Sequence, residues 1–137
     1  MLDLKKLEHS IQLKSYNLNT ISLVKKDENV ECFESPYKIT SDQIEFKIYP
    51  MTNINEKEIP ILIIFIIDNN DFKLKLEYKS TYLVKEMDLK DEGFDSLLPI
   101  VFWTMYKKIK SLSTHIIQEI VNTSVDFPIY SKRKLTE

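Results

Sequence analysis

Few side chains in this sequence have the types and the spacing that catalysis requires. The chain has two histidines, His9 and His115, one cysteine, Cys32, and one glycine, Gly93. Two histidines and one cysteine do not supply the usual ligands of a zinc site. One glycine is too few for the loops with which nucleotide-binding proteins approach phosphate groups. We therefore predict that the protein is not an enzyme and uses no metal and no other cofactor.

For three remaining clusters, a structural role is a simpler explanation than a catalytic or metal-binding role. His115 precedes Glu119 by four residues, a spacing that would suit a general base, but no nucleophile lies nearby in the sequence. Glu45 and Glu77 would form a carboxylate pair only if their strands were adjacent, and both occupy positions expected to be solvated. The segment 68–71, DNND, lacks the alternating ligands, the glycine and the distant glutamate of a calcium loop. Its side chains are typical of a tight turn.

Composition indicates one globular domain of ordinary type. With 137 residues, 43% of them hydrophobic, the chain is long enough to bury a core. We predict a single domain over 1–137, with loose termini at 1–9 and 131–137. A net charge of −2 gives no electrostatic argument for nucleic-acid binding. The N-terminus lacks an apolar leader segment and the apolar run 59–67 is too short to span a bilayer, so we expect a cytoplasmic protein without membrane contact.

The strongest structural signal is a β-hairpin over 58–79. Residues 59–67 are apolar at almost every position, whereas apolar and charged residues alternate over 72–79. Alternation predicts a strand with one solvated face, and an apolar run predicts a strand that is covered on both faces. Because one helix covers one face, we predict that the first arm also contacts a second subunit. The predicted subunit contacts are Ile61, Ile63, Phe65 and Ile67.

Two further strands precede the hairpin. Over 10–26 the apolar alternation slips by one residue at Ser15 and again before Ile21, which indicates one bent strand with bulges or two short strands. A second strand region is predicted over 37–49, either continuous or broken at Ser41 and Asp42 before the alternation of Ile44, Phe46 and Ile48. Pro50 ends it because proline cannot donate to a ladder.

The C-terminal part is predicted to be helical. Over 96–121 the apolar residues recur every three or four positions, as in an amphipathic helix, and Asp95 would be its N-cap. Ser111, Ser113 and Thr114 are weak helix formers, so the helix is either continuous or broken there. The fold class is therefore α+β, an antiparallel sheet of about four strands with a long C-terminal helix on one face.

This order of elements resembles the SecB family of bacterial export chaperones and its SecB-like relatives. The segment 11–28, IQLKSYNLNTISLVKKDE, is similar to the first strand of the family. The segment 116–130, IIQEIVNTSVDFPIY, resembles the end of the family's helix and the Phe-Pro pair that follows it. Together with the strands between them, the resemblance covers roughly residues 10–130. It implies a homo-oligomer, a dimer or a dimer of dimers, that binds unfolded or aggregation-prone polypeptides without nucleotide.

An alternative is a dedicated binding partner of one protein, such as an antitoxin. The C-terminal segment SKRKLTE is basic, and Lys73, Lys75 and Lys79 follow the predicted solvated face. Both differ from the acidic surface by which the export chaperone contacts its motor, and they favour the relatives that accompany toxin–antitoxin pairs. A third hypothesis, a small-molecule or enzymatic domain, requires a cavity in which polar groups converge.

The residues expected to bind a client are apolar and lie near the helix or in the segment after it. They are Phe46, Ile48, Trp103, Phe127, Ile129 and Tyr130. For Trp103, packing in the core is an equally good explanation. For 127–130, the other explanation is an extended segment that packs on its own domain.

Overall fold

The computed structural model of the chain describes residues 11–26, 32–51, 57–84 and 97–128. Four of the strands are β1 (Ile11–Lys25), β3 (Ile44–Pro50), β4 (Glu58–Asp68) and β5 (Phe72–Val84). They form one antiparallel sheet in the order β1-β5-β4-β3. One helix, α1 (Leu98–Val121), packs on one face of the sheet. Two short strands, β2 (Tyr37–Lys38) and β6 (Val125–Asp126), pair in parallel. The prediction of an α+β fold is confirmed.

Strand β1 contains the two irregularities that its sequence pattern predicts. Its register against β5 shifts once between Leu13 and Ser15 and again between Leu18 and Thr20. Each shift is a bulge that absorbs one residue and restores the alternation of side chains. As a result, six of the seven apolar side chains of β1 lie on the sheet face that carries the helix, and Val24 lies on the other face. The six are Ile11, Leu13, Tyr16, Leu18, Ile21 and Leu23.

The β4–β5 hairpin forms the centre of the core. On β5, Phe72, Leu74 and Leu76 are completely buried against α1, whereas Lys73 and Lys79 are exposed on the other face. The helix contributes Val101, Met105, Ile109 and Ile117 to the same core. The hairpin prediction and the orientation predicted for its second arm are both confirmed.

The orientation predicted for the first arm needs a correction. Ile61, Ile63, Phe65 and Ile67 have an exposed fraction of 0% within the single chain, because α1 covers this face of β4. They are therefore not available for contact with a second subunit. The opposite face of β4 presents Leu62, Ile64 and Ile66, which are half-buried. Sequence alternation does not distinguish these two faces, since both are apolar.

The helix is continuous through the serine-rich segment. Ser113 is fully buried, and the hydroxyl of Thr114 donates to the carbonyl oxygen of Lys110 at 2.8 Å, so neither interrupts the helix. Asn122 ends it with a left-handed backbone (φ 52°), and its N–H donates to the carbonyl oxygen of Gln118. The predicted N-cap, Asp95, lies outside the described residues.

The segment that follows α1 packs against one side of the helix. After the helix, β6 pairs with β2, and Phe127 is buried with 7% exposed. The hydroxyl of Tyr106 on the helix donates to the carbonyl oxygen of Pro128 at 3.1 Å. The segment after the helix therefore packs on its own domain.

Candidate functional site

The predicted client-binding residues lie in different environments. Phe46 and Ile48 are half-buried on the helix face of β3, and the Phe46 ring lies 5.0 Å from that of Phe102. Trp103 is partly buried on α1, and the Lys107 ammonium lies 5.4 Å from its ring centroid. Phe127 is buried, so this side chain is not an exposed contact in the described structure. Ile129 and Tyr130 lie outside the described residues.

A more exposed apolar surface lies on β1, at residues outside the predicted client-binding set. Tyr16, Leu18, Ile21 and Leu23 expose 44%, 38%, 51% and 37% of their surface, although they occupy the helix face of the sheet. We call these four side chains the β1 strip. The helix covers β4 and β5 fully, but it does not reach across β1. In contrast, Ile11 at the start of β1 is buried.

Contacts with the core and with the helix mark the inner boundary of the β1 strip. The Tyr16 ring lies 6.3 Å from the Tyr78 ring, and the Lys108 ammonium of α1 lies 4.9 Å from the Tyr16 centroid. A cation at this distance from an aromatic ring is attracted to its face. Burial, followed by the neighbouring Tyr16 phenol, raises the pKa of Tyr78, so this hydroxyl stays neutral. On its helix side, the strip therefore borders the neutral Tyr78 ring and the positively charged Lys108.

A separate cavity lies at the turn of the hairpin. Its volume is about 330 Å³, and Phe33, Tyr37, Gln43, Asn69 and Asp71 are among its lining residues. The Tyr37 hydroxyl donates to Asp71 Oδ2 at 2.5 Å, and Asn69 Nδ2 donates to the Tyr37 oxygen at 3.1 Å. Burial and the Asp71 carboxylate raise the pKa of Tyr37 above its usual range. Tyr37 thus bonds to both Asn69 and Asp71, which favours a structural role for these three side chains.

The turn interpretation of residues 68–71 is confirmed. The Asn69 side-chain oxygen accepts hydrogen bonds from the backbone N–H groups of Asp71 at 2.9 Å and Phe72 at 3.0 Å. This arrangement is an Asx turn. Within residues 11–26, 32–51, 57–84 and 97–128, no three histidine, cysteine or acidic side chains lie close enough together to hold a metal ion. In the same ranges, no helix has the length and the apolar character needed to cross a membrane.

Tyr82 gives the fold a dependence on alkaline pH. Burial raises the pKa of Tyr82 from 10.0 to about 12, and the hydrogen bond with Thr104 offsets part of that effect. Because the pKa is raised in the folded state, the contribution of the neutral, buried Tyr82 hydroxyl to stability is intact below pH 10. It is lost as the pH rises toward 12. For Tyr82 alone, the free energy of unfolding should fall by about 1 kcal/mol between about pH 9 and about pH 11.

Urea unfolding at those two pH values measures this loss. Tyr82→Phe removes the titrating group, so the variant should lose less stability than the natural protein over the same interval. An identical loss in the two proteins would contradict the assignment to Tyr82.

Comparison with known proteins adds one structural likeness. No protein-family model matches the chain, and no curated protein matches it. A crystal structure of a protein of unknown function from Streptococcus agalactiae is similar, with a TM-score of 0.58 and 7% sequence identity. The alignment covers 88% of this chain and 97% of that one. At this identity, what the two chains share is the fold.

Proposed function

We propose that this protein is a SecB-like chaperone that binds unfolded or aggregation-prone polypeptide segments without nucleotide, in the cytoplasm. The observation that supports the proposal is the β1 strip, where four neighbouring apolar side chains remain exposed beside a well-packed core. Isolated apolar side chains are normal on a surface, but a contiguous exposed patch is typical of an interaction site. The strip is long and narrow, as an extended polypeptide segment is.

Binding at the β1 strip would be passive. Covering apolar surface releases about 25 cal/mol per Å² removed from water, which requires no chemical energy source. A bound segment cannot collapse or aggregate while its apolar side chains lie on the strip. Release follows when the segment finds its own partner or its own fold.

The proposal includes a homo-oligomer with a corrected contact surface. Because α1 covers the odd-numbered face of β4, the β4 surface open to a second subunit consists of Leu62, Ile64 and Ile66. Lys47, opposite Ile64 on β3, and Lys79, opposite Leu62 on β5, flank this surface. A dimer or a dimer of dimers would cover these side chains.

The test of chaperone function compares two lysine substitutions on the same strand. Ile21 and Val24 are similarly exposed, at 51% and 57%, but Val24 faces the other side of the sheet. Light scattering of aggregating, reduced insulin should decrease when the natural protein is added. Ile21→Lys should lose most of this suppression, because a charge then lies in the centre of the strip. Val24→Lys should keep it.

Circular dichroism melting of both variants checks that each remains folded. Equal suppression by the two variants would exclude the β1 strip as the binding surface. Absence of suppression by the natural protein, for insulin and for several unrelated clients, would exclude a general chaperone.

The narrowness of the strip also supports the second candidate, a dedicated partner of one protein such as an antitoxin. Four side chains on one strand suffice for one extended segment. Repeating the scattering assay with unrelated clients separates the two functions. A general chaperone suppresses the aggregation of most of them, and a dedicated partner suppresses that of none except its own.

A further inference from the structure

The sheet face opposite α1 carries a row of apolar side chains along β4. The row consists of Leu62, Ile64 and Ile66, which are half-buried. We call it the β4 row. The strands on either side of it, β3 and β5, contribute charged residues to the same face. A partner that covers the β4 row must therefore also match these charges.

The charges beside the β4 row alternate in sign. Glu77 of β5 and Lys47 of β3 lie on either side of Ile64, because both are paired with it in the strand register. One position further along the row, Lys75 of β5 and Glu45 of β3 lie in the reverse arrangement. The sign therefore changes along each strand and also across the sheet.

These four residues form two ion pairs within the chain, one on each side of the row. Lys75 and Glu77 lie 3.4 Å apart on β5, and Lys47 and Glu45 lie 3.4 Å apart on β3. All four side chains still reach solvent, between 27% and 63% of their surface. The two ion pairs are thus parallel to the strands and opposite in direction. Two such pairs attract each other when the positive end of one lies against the negative end of the other.

We propose that the β4 row and its flanking ion pairs bind a second copy of this chain, through a twofold axis that runs between the two sheets and nearly parallel to β4. Rotation about this axis places the β4 row of one copy against the β4 row of the other. It also exchanges the sides of β3 and β5. Glu77 of each copy then lies opposite Lys47 of the other, and Lys75 lies opposite Glu45.

The argument for a second copy is that the surface matches itself. A twofold interface joins the same patch of both subunits, so that patch must be complementary to its own rotated image. The alternating charges meet this requirement, and the apolar row fixes where the axis lies. The inference rests on the homo-oligomer of the proposed function and specifies which residues form its contact.

A twofold axis across the strands, between Ile64 and Ile66, is less favourable. It would also oppose unlike charges in the ion pairs, but it would place Lys73 of one copy opposite Lys79 of the other. The axis along β4 instead places Lys79 opposite Tyr49, which is 47% exposed. An aromatic ring attracts an ammonium group, whereas two ammonium groups repel each other.

The acidic residues at the two ends of β4 are compatible with the axis along β4. Glu58 and Asp68 would each lie nearest to their own copies, but both already form salt bridges, with Lys14 and Lys26 respectively. Sheets that pack face to face cross at about 30°, which separates the ends of two central strands. The closest contact is therefore at Ile64, in the middle of the β4 row.

Sedimentation velocity of the natural protein tests whether the dimer forms. A contact of three strands per copy is small, so we expect a reversible dimer between about 1 μM and about 200 μM. Ile64→Lys places two ammonium groups together at the axis and should weaken the dimer at least about tenfold. Val24→Lys is the matched control, because Val24 lies on the same sheet face but on β1, which lies outside the contact. It should dimerise like the natural protein.

A pair of charge variants tests which strands face each other. Lys47→Glu and Glu77→Lys should each weaken the dimer at least about tenfold, because each places like charges across the interface. In an equimolar mixture, every charge of one variant meets the opposite charge of the other. The mixture should therefore dimerise within about threefold of the natural protein. An axis across the strands would leave the mixture weak, because Lys47 would then lie opposite Glu45.

Several outcomes would overturn the inference. A natural protein that stays monomeric over this range, or an Ile64→Lys variant that dimerises as well as Val24→Lys, would exclude the β4 row as the contact. A mixture no tighter than the single charge variants would exclude the axis along β4. Circular dichroism melting checks that each variant is folded.

Failure of the dimer and failure of the chaperone proposal are distinguishable. Ile21 lies on the helix face of the sheet, away from the β4 row. Ile21→Lys should therefore keep the dimer while it loses suppression of aggregation. A monomer that suppresses aggregation through the β1 strip would reject this inference and still support the chaperone proposal.

Discussion

Replacing Phe65 by alanine should lower the free energy of unfolding by about 3–5 kcal/mol. Phe65 is completely buried on β4, between Phe46 on β3 and Leu76 on β5, and its ring lies 6.1 Å from that of Phe46. Truncation removes the ring from beneath α1 and leaves a cavity that the neighbouring strands, which are fixed by their ladders, cannot close. Because a domain of this kind is stable by only about 5–15 kcal/mol, the loss is a large part of the total.

Urea unfolding followed by circular dichroism measures this effect, with Val24→Ala as the control. Val24 is 57% exposed on the open face of β1, outside the proposed subunit contact. Its truncation should cost less than about 1 kcal/mol, since little of the side chain leaves an apolar environment. Similar losses for the two variants would mean that burial beneath α1 does not determine how much a side chain contributes to stability.

Replacing Asn69 by alanine should cost about 3 kcal/mol, the second-largest effect that we expect. Its side-chain oxygen accepts hydrogen bonds from the N–H groups of Asp71 and Phe72. Its amide nitrogen donates to the Tyr37 hydroxyl and, at 3.4 Å, to Gln43. Each lost bond weakens folding by about 1 kcal/mol, and the backbone groups of the turn lose their partner within the chain.

The neighbouring Asn70→Ala provides the control, because Asn70 is exposed at the tip of the same turn. It should change stability by less than about 0.5 kcal/mol, as most surface substitutions do. Thermal melting of both variants under the same conditions gives the comparison. If Asn70→Ala destabilised the protein as much as Asn69→Ala, the composition of the turn and not the Asn69 hydrogen bonds would determine its stability.

Most of the fold could be predicted from periodicity. Alternation over 72–79, the slips at Ser15 and before Ile21, and the three- and four-residue spacing over 96–121 each correspond to a feature of the structure. These patterns are local, because the burial of a side chain on one face of a strand or a helix follows from its position in that element. The sequence also indicated the turn at 68–71, where the Asn69 side chain accepts hydrogen bonds from backbone N–H groups of the same turn.

The surface of the molecule was less predictable because it depends on where α1 lies across the sheet. Sequence patterns indicate that β1 has an apolar face, but they do not indicate whether the helix covers it. The same limitation explains the error at Ile61, Ile63, Phe65 and Ile67, since an apolar run offers two equivalent faces. In both cases, long-range contacts between α1 and the sheet determine which side chains are covered.

Because α1 lies over β4 and β5, the exposed surface of β1 can change during evolution without disruption of the core. The core that maintains the fold lies under the helix, while Ile21 and Leu23 contribute little to it. Substitutions on β1 that keep its strand propensity therefore alter what the surface binds without the penalty that core substitutions carry. Selection can adjust the preference for a partner on β1 while the hairpin beneath α1 stays the same.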